Sequence, residues 1–109
     1  MTLTNRQIRQ LKGLAHHLKP VVIIGNRGPV QQVLDEVDVS LNHHELIKIR
    51  VPAIPKADKQ AVVNEVCEGC HCHCVGLTAR VAILFRQNPD RKNPIKLEGA
   101  AKAAPAERP

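Results

Sequence analysis

The chain has 109 residues, and 16 lysines and arginines against 10 acidic residues give it a formal charge of +6. That length supports one domain with a modest core, and the charge favours polyanions as partners. No apolar run approaches the roughly 20 residues of a membrane span, cations interrupt any secretory h-region, and the single aromatic, Phe85, leaves almost no platform for stacking bases.

Thr4-Asn5-Arg6-Gln7 reads as a capping box that starts a helix. Ile8, Leu11, Leu14, Ala15 and Leu18 then form one apolar stripe, with Arg6, Arg9 and Lys12 on a basic outer face. Pro20 is expected to end that helix, because it pushes Lys19 out of helical conformation. Val21 to Ile24 is a continuous β-branched run, which predicts a central strand covered on both faces. Gly25-Asn26-Arg27-Gly28 makes a corner, and Pro29 is a natural first residue for a second helix with Val30, Val33, Leu34, Val37 and Leu41 buried. Its acidic residues Asp35, Glu36 and Asp38 are read as a solvated face.

Asn42-His43-His44 closes the second helix, and Glu45 to Val51 alternates as a strand with Leu46, Lys48 and Arg50 on one face. Strand, helix and strand in this order imply a right-handed parallel crossover. After the Pro52–Pro55 loop, Ala57 to Cys70 predicts a third helix with Ala61, Val62, Val66 and Cys70 at helical spacing. Val75–Thr78 and Arg80–Phe85 then form an antiparallel hairpin around Ala79. From Gln87 onward the composition is that of a mobile tail; a domain over 1–97 and a disordered basic, Ala- and Pro-rich tail over 98–109 are expected.

The glycine corner is the main functional candidate. Gly25 and Gly28 flank an amide and a cation at a strand-to-helix junction, where free backbone N–H groups suit a phosphate. No acidic residue precedes Asp35, whereas Arg6, Arg9, Lys12, Lys19 and Arg27 all do. A dinucleotide fingerprint would need more glycines, and a P-loop would need Gly-Lys-Ser/Thr. The closer physical parallel is the Gly-x-x-Gly loop of KH domains, which clamps nucleic-acid backbone. Asn26 and Arg27 would contact phosphate, with Arg9, Lys12, Lys19, Lys48 and Arg50 adding basic surface. His16-His17 and His43-His44 lie near no nucleophile or carboxylate pair that would make them catalytic, and read as surface histidines.

Leu11-Lys12-Gly13-Leu14-Ala15-His16, Lys19-Pro20-Val21-Val22, Gly25-Asn26-Arg27-Gly28, His43-His44-Glu45-Leu46-Ile47-Lys48 and Ile83-Leu84-Phe85-Arg86 together resemble the bacterial single-domain CRM proteins, the YhbY-like RNA-binding family of chloroplast RNA splicing and ribosome maturation proteins. The likeness spans about residues 2 to 97. It implies a compact α/β (α+β) fold like the C-terminal domain of bacterial translation initiation factor three, with helices on a four-stranded mixed sheet whose last strand is antiparallel. It also implies a cytoplasmic, non-enzymatic protein that contacts ribosomal RNA in precursors of the large subunit through Gly25 to Gly28. A monomer with no cofactor, membrane partner or small-molecule substrate is expected.

This chain departs from the family pattern at three points. Ala79 stands where the hairpin usually has glycine, which leaves the turn open to strain. Phe85 replaces a usual tyrosine at the cost of a hydroxyl hydrogen bond. Cys67, Cys70, Cys72 and Cys74, interleaved with His71 and His73, are the largest departure. A reduced cluster of this kind suits zinc, and a zinc-binding or metal-responsive interaction protein is the alternative reading. Against it, structural zinc sites usually draw ligand pairs from separate segments, and free thiols commonly serve as small apolar packing groups.

Overall fold

The computed structural model describes residues 2–98. In chain order the elements are α1 (Asn5–Ala15), β1 (Pro20–Ile23), α2 (Gln31–His44), β2 (Leu46–Arg50), α3 (Lys56–Cys70), β3 (His73–Leu77) and β4 (Val81–Phe85). The strands make one mixed sheet in the order β1-β2-β4-β3. β1 is parallel to β2, as the crossover reading requires, and β4 is antiparallel to both its neighbours. The succession of elements and the α+β class are those the sequence predicts.

Alternation along the strands separates two cores. Val22 and Ile24, Ile47 and Ile49, and Ala82 and Leu84 face α2 and α3, where they meet Val33, Val37, Leu41, Val63 and Val66. On the opposite face Leu46, Val75 and Phe85 pack under Leu11 and Ala15 of α1. The Thr4 capping box forms, its hydroxyl accepting the Gln7 N–H at 3.1 Å while the Gln7 amide accepts the Thr4 N–H at 3.0 Å.

Several expectations are corrected. β1 is an edge strand, with Val21 51% and Ile23 65% exposed, so its β-branched residues reflect strand propensity and one-sided burial. α1 stops at Ala15, well before Pro20, and the Leu18 N–H donates to the Ala15 carbonyl at 2.9 Å in the turn that follows. Because α1 lies over β2, β3 and β4, Leu14 and Leu18 leave the buried stripe and line an apolar groove with Val21 and Ile95. α2 begins at Gln31, not Pro29, since the Val30 N–H donates to the Gly28 carbonyl at 2.9 Å and closes a tight turn around Pro29. α3 buries Lys59 and Val63 with Val66 and Cys70, while Ala61 is exposed.

The largest correction concerns the stretch after Phe85. Arg86 donates to Asp38, Asn42 and the Cys70 carbonyl, tying the end of β4 to α2 and α3 and removing Asp38 from a purely solvated face. Glu45, at φ 62° and 1% exposed, accepts from the Asn88 and Ile95 N–H groups at 2.7 and 2.6 Å and from Arg91 at 2.7 Å. The chain then returns to α1, where Leu97 is buried and Gln7 and Gln10 bond Glu98 and Lys96. The stretch 87–98 is therefore anchored to the domain through Asn88, Arg91, Ile95, Lys96, Leu97 and Glu98, where composition suggested a free tail; residues 99–109 of the expected tail lie outside the described residues. Ala79 causes no left-handed strain, since Glu45 and His71 are the non-glycine residues with positive φ among those described.

Candidate functional site

Gly25 to Gly28 forms a β-turn closed by the Gly28 N–H on the Gly25 carbonyl at 3.1 Å. Asn26 and Arg27 occupy the two corner positions and are exposed. Among the described residues, none accepts the N–H of Asn26 or Arg27. The loop leads into α2, whose first turn has no side-chain cap and no acidic residue. Free N–H groups, a cation and an uncapped helix start therefore share one segment, an arrangement favourable to an anion.

The two glycines have different physical reasons to be there. Gly28 has φ +75°, which side-chain-bearing residues adopt only at a cost. Gly25 has no positive φ, and a Cβ there would meet nothing within 4 Å. Neither packing nor dihedral angle requires glycine at 25. Its missing side chain leaves the backbone approachable from outside.

Sheet register shows which cations accompany the loop. The Ile24 N–H donates to the Arg50 carbonyl at 2.9 Å, so Gly25 leaves the sheet beside Arg50. The Val51 N–H donates to the Arg80 carbonyl at 2.8 Å, which brings the exposed Arg80 of the β3–β4 turn to the same end. Sequence reading missed Arg80, because only the pairing of β2 with β4 sets Val81 opposite Arg50. An arginine in the turn of a hairpin that ends beside a glycine loop is a signal only once the strand order is known.

A second row crosses the open half of the sheet. Lys48 pairs with Pro20 on one side and Ile83 on the other, and Ile83 pairs with Gly76. Lys12 lies over that row, where a Cβ on Gly76 would come within 3.3 Å of the Lys12 Cε. Lys48 reaches toward the His16 carbonyl at 3.5 Å, and Lys19 adjoins Pro20. Lys12 and Lys48 thus lie along one row, Lys19 precedes its Pro20 end in the chain, and Arg50 follows Lys48 on β2 toward the loop. Arg9 does not join them: two positions from both Gln7 and Leu11, it points away from the sheet.

The cysteines sit where α3 ends and β3 begins, and all four are free thiols. Among the described residues, no three Cys, His, Asp or Glu side chains gather as a metal-holding group, so the geometry gives the zinc reading no support. Cys70 and Cys72 are buried in the larger core, as the packing reading expects. Both histidine pairs are exposed.

Comparison with known proteins adds an independent observation. The model of the CRS1 / YhbY (CRM) domain family matches residues 3–86. A Haemophilus influenzae protein named RNA-binding protein is 38% identical over 91 residues, covering 84% of this chain and 92% of the relative. A Pseudomonas aeruginosa protein, named a probable RNA-binding protein, is 37% identical over 89 residues, covering 82% and 86%. The solution structure of a hypothetical protein from Staphylococcus aureus superimposes with a TM-score of 0.77 at 27% identity, covering 88% of this chain and 99% of that one.

Proposed function

The chain belongs to the CRS1 / YhbY (CRM) domain family, and on that premise we propose that it is a non-enzymatic RNA-binding protein acting on precursors of the large ribosomal subunit. The loop N–H groups and Arg27 hold an RNA phosphate, and Asn26 bonds the same backbone. Arg50 and Arg80 continue the contact from the loop, and Lys48, Lys12 and Lys19 extend it along the sheet face. The observation that carries this reading is Gly25, a glycine that packing and dihedral angle do not require, beside N–H groups with no acceptor among the described residues and beside converging arginines.

The shortage of aromatic residues fits a site that grips backbone and shape without stacking bases. Structured ribosomal RNA offers dense, fixed phosphates to such a surface. The test is sedimentation of Arg27→Glu protein with large-subunit precursors. The variant should fold normally, because Arg27 is exposed at a turn corner, and should leave the particle fractions. Retention of the folded variant with the particles at the unmodified level would remove the loop from the contact.

A further inference from the structure

The cysteine cluster has no part in the RNA reading, and its geometry suggests a different chemistry. α3 ends in a left-handed His71 at φ 54°. Two residues on either side of that reversal are joined, since the Cys72 N–H donates to the Cys67 carbonyl at 3.1 Å. In such a helix terminus the residue after the reversal characteristically packs on the one in the last turn. Here both members of that pair are cysteines.

The other thiols are engaged differently. Cys70 donates to the Leu34 carbonyl at 3.4 Å, and Cys74 to the Gly76 carbonyl at 3.4 Å. Cys67 is half-buried, and with Cys72 it lines an open cleft of about 600 Å³ between α3, β3 and the start of α1. The Cys72 thiol beside Cys67 pulls Cys67 below the ordinary thiol value, against the opposing effect of burial, whereas Cys72 itself is held far above it. Cys67, half-buried on the open cleft, is the thiol that a small oxidant reaches first, and the buried Cys72 lies behind it.

We infer that Cys67 and Cys72 form a peroxide-reactive dithiol that closes to an intramolecular disulfide. The Cys67 thiolate attacks one peroxide oxygen, the O–O bond breaks, and the departing hydroxide takes a proton to leave as water. Cys67 is then a sulfenic acid. The Cys72 sulfur attacks the Cys67 sulfur, the S–O bond breaks, and the hydroxide leaves with the Cys72 proton as a second water. Two thiols and one hydrogen peroxide give one disulfide and two waters, and a thiol reductant restores the pair.

All four cysteines fall in one tryptic peptide, Gln60 to Arg80, and a further cut after Glu68 separates Cys67 from the other three. Reduced full-length protein is treated with hydrogen peroxide, the remaining thiols are alkylated, and the doubly cut peptides are analysed by mass spectrometry without reduction. The expected product loses two hydrogens, keeps the two fragments joined, carries alkyl groups on Cys70 and Cys74, and reverts with dithiothreitol. The Cys72→Ser protein should stop at a Cys67 sulfenic acid trapped by dimedone. Four alkylated thiols after peroxide, or a bond from Cys67 to Cys70 or Cys74, would overturn the inference. Because the unmodified protein gives the linkage directly, instability of the serine variant cannot obscure the result.

Discussion

At the residue scale, two glycines three positions apart separate a folding requirement, at Gly28, from the proposed contact, at Gly25. Gly28 adopts a conformation that side chains disfavour, so Gly28→Val should cost about 1–2 kcal/mol in urea unfolding. Gly25→Ala should change stability by less than about 0.5 kcal/mol, because the site is open and its φ is not positive. It should nonetheless weaken RNA binding in a filter assay by placing a methyl group over the approachable backbone. Unaltered RNA affinity in Gly25→Ala would show that the backbone there is not approached. Glu45 is the opposite case, a residue whose importance lies wholly in the fold. Its buried carboxylate holds Arg91 and two backbone N–H groups. Glu45→Ala should therefore cost about 3–5 kcal/mol by leaving those donors unmatched, and amide exchange at Ile95 should accelerate well beyond that in α2. The sequence offered Glu45 only as the start of a strand; its partners lie more than forty positions away and become visible only after folding.

At the scale of elements, the succession of elements and the directions of the β1–β2 and β3–β4 pairs were legible, whereas the position of β1 at the edge of the sheet was not. The Thr4 capping box, the α2 stripe and the period-two alternation of β2 are set by adjacent residues, and all formed. Whether β1 is central or at an edge depends on which strands arrive later, and Val21 to Ile24 looks the same in both cases. Ile23→Lys distinguishes them: in a central strand it would bury a charge, whereas on this edge the melting midpoint should stay within the shift expected for about 0.5 kcal/mol. The docked stretch after Phe85 was obscured by composition, because two apolar residues and a set of polar bonds suffice to anchor it. Leu97→Ala should cost about 2–5 kcal/mol by opening a cavity under α1, measured as a lower denaturation midpoint with an unchanged slope.

At the scale of the whole molecule, charge is sorted by the order of the strands. The pairing of β1 with β2 and of β2 with β4 brings Arg50 and Arg80 to the glycine loop, although neither is near it in sequence. The candidate loop was legible because glycines at a strand-to-helix junction have a local meaning. Arg80 was not, because its position follows from topology, and Arg9 lies apart from the other cations on the outer face of α1, a placement that charge in sequence does not carry. Binding that rests on phosphates should weaken linearly in log affinity against log salt. Replacing Arg50 and Arg80 together by Gln should flatten that slope by about two; an unchanged slope would place both outside the contact. The most direct measurement is a titration of isotope-labelled full-length protein with a fragment of large-subunit ribosomal RNA, followed by amide NMR. The largest shifts should fall at Gly25 to Gly28, Arg50 and Arg80, with smaller ones at Lys12 and Lys48. Shifts confined to α3 and the cysteine junction, with the loop unmoved, would contradict the assignment of the glycine loop as the RNA contact.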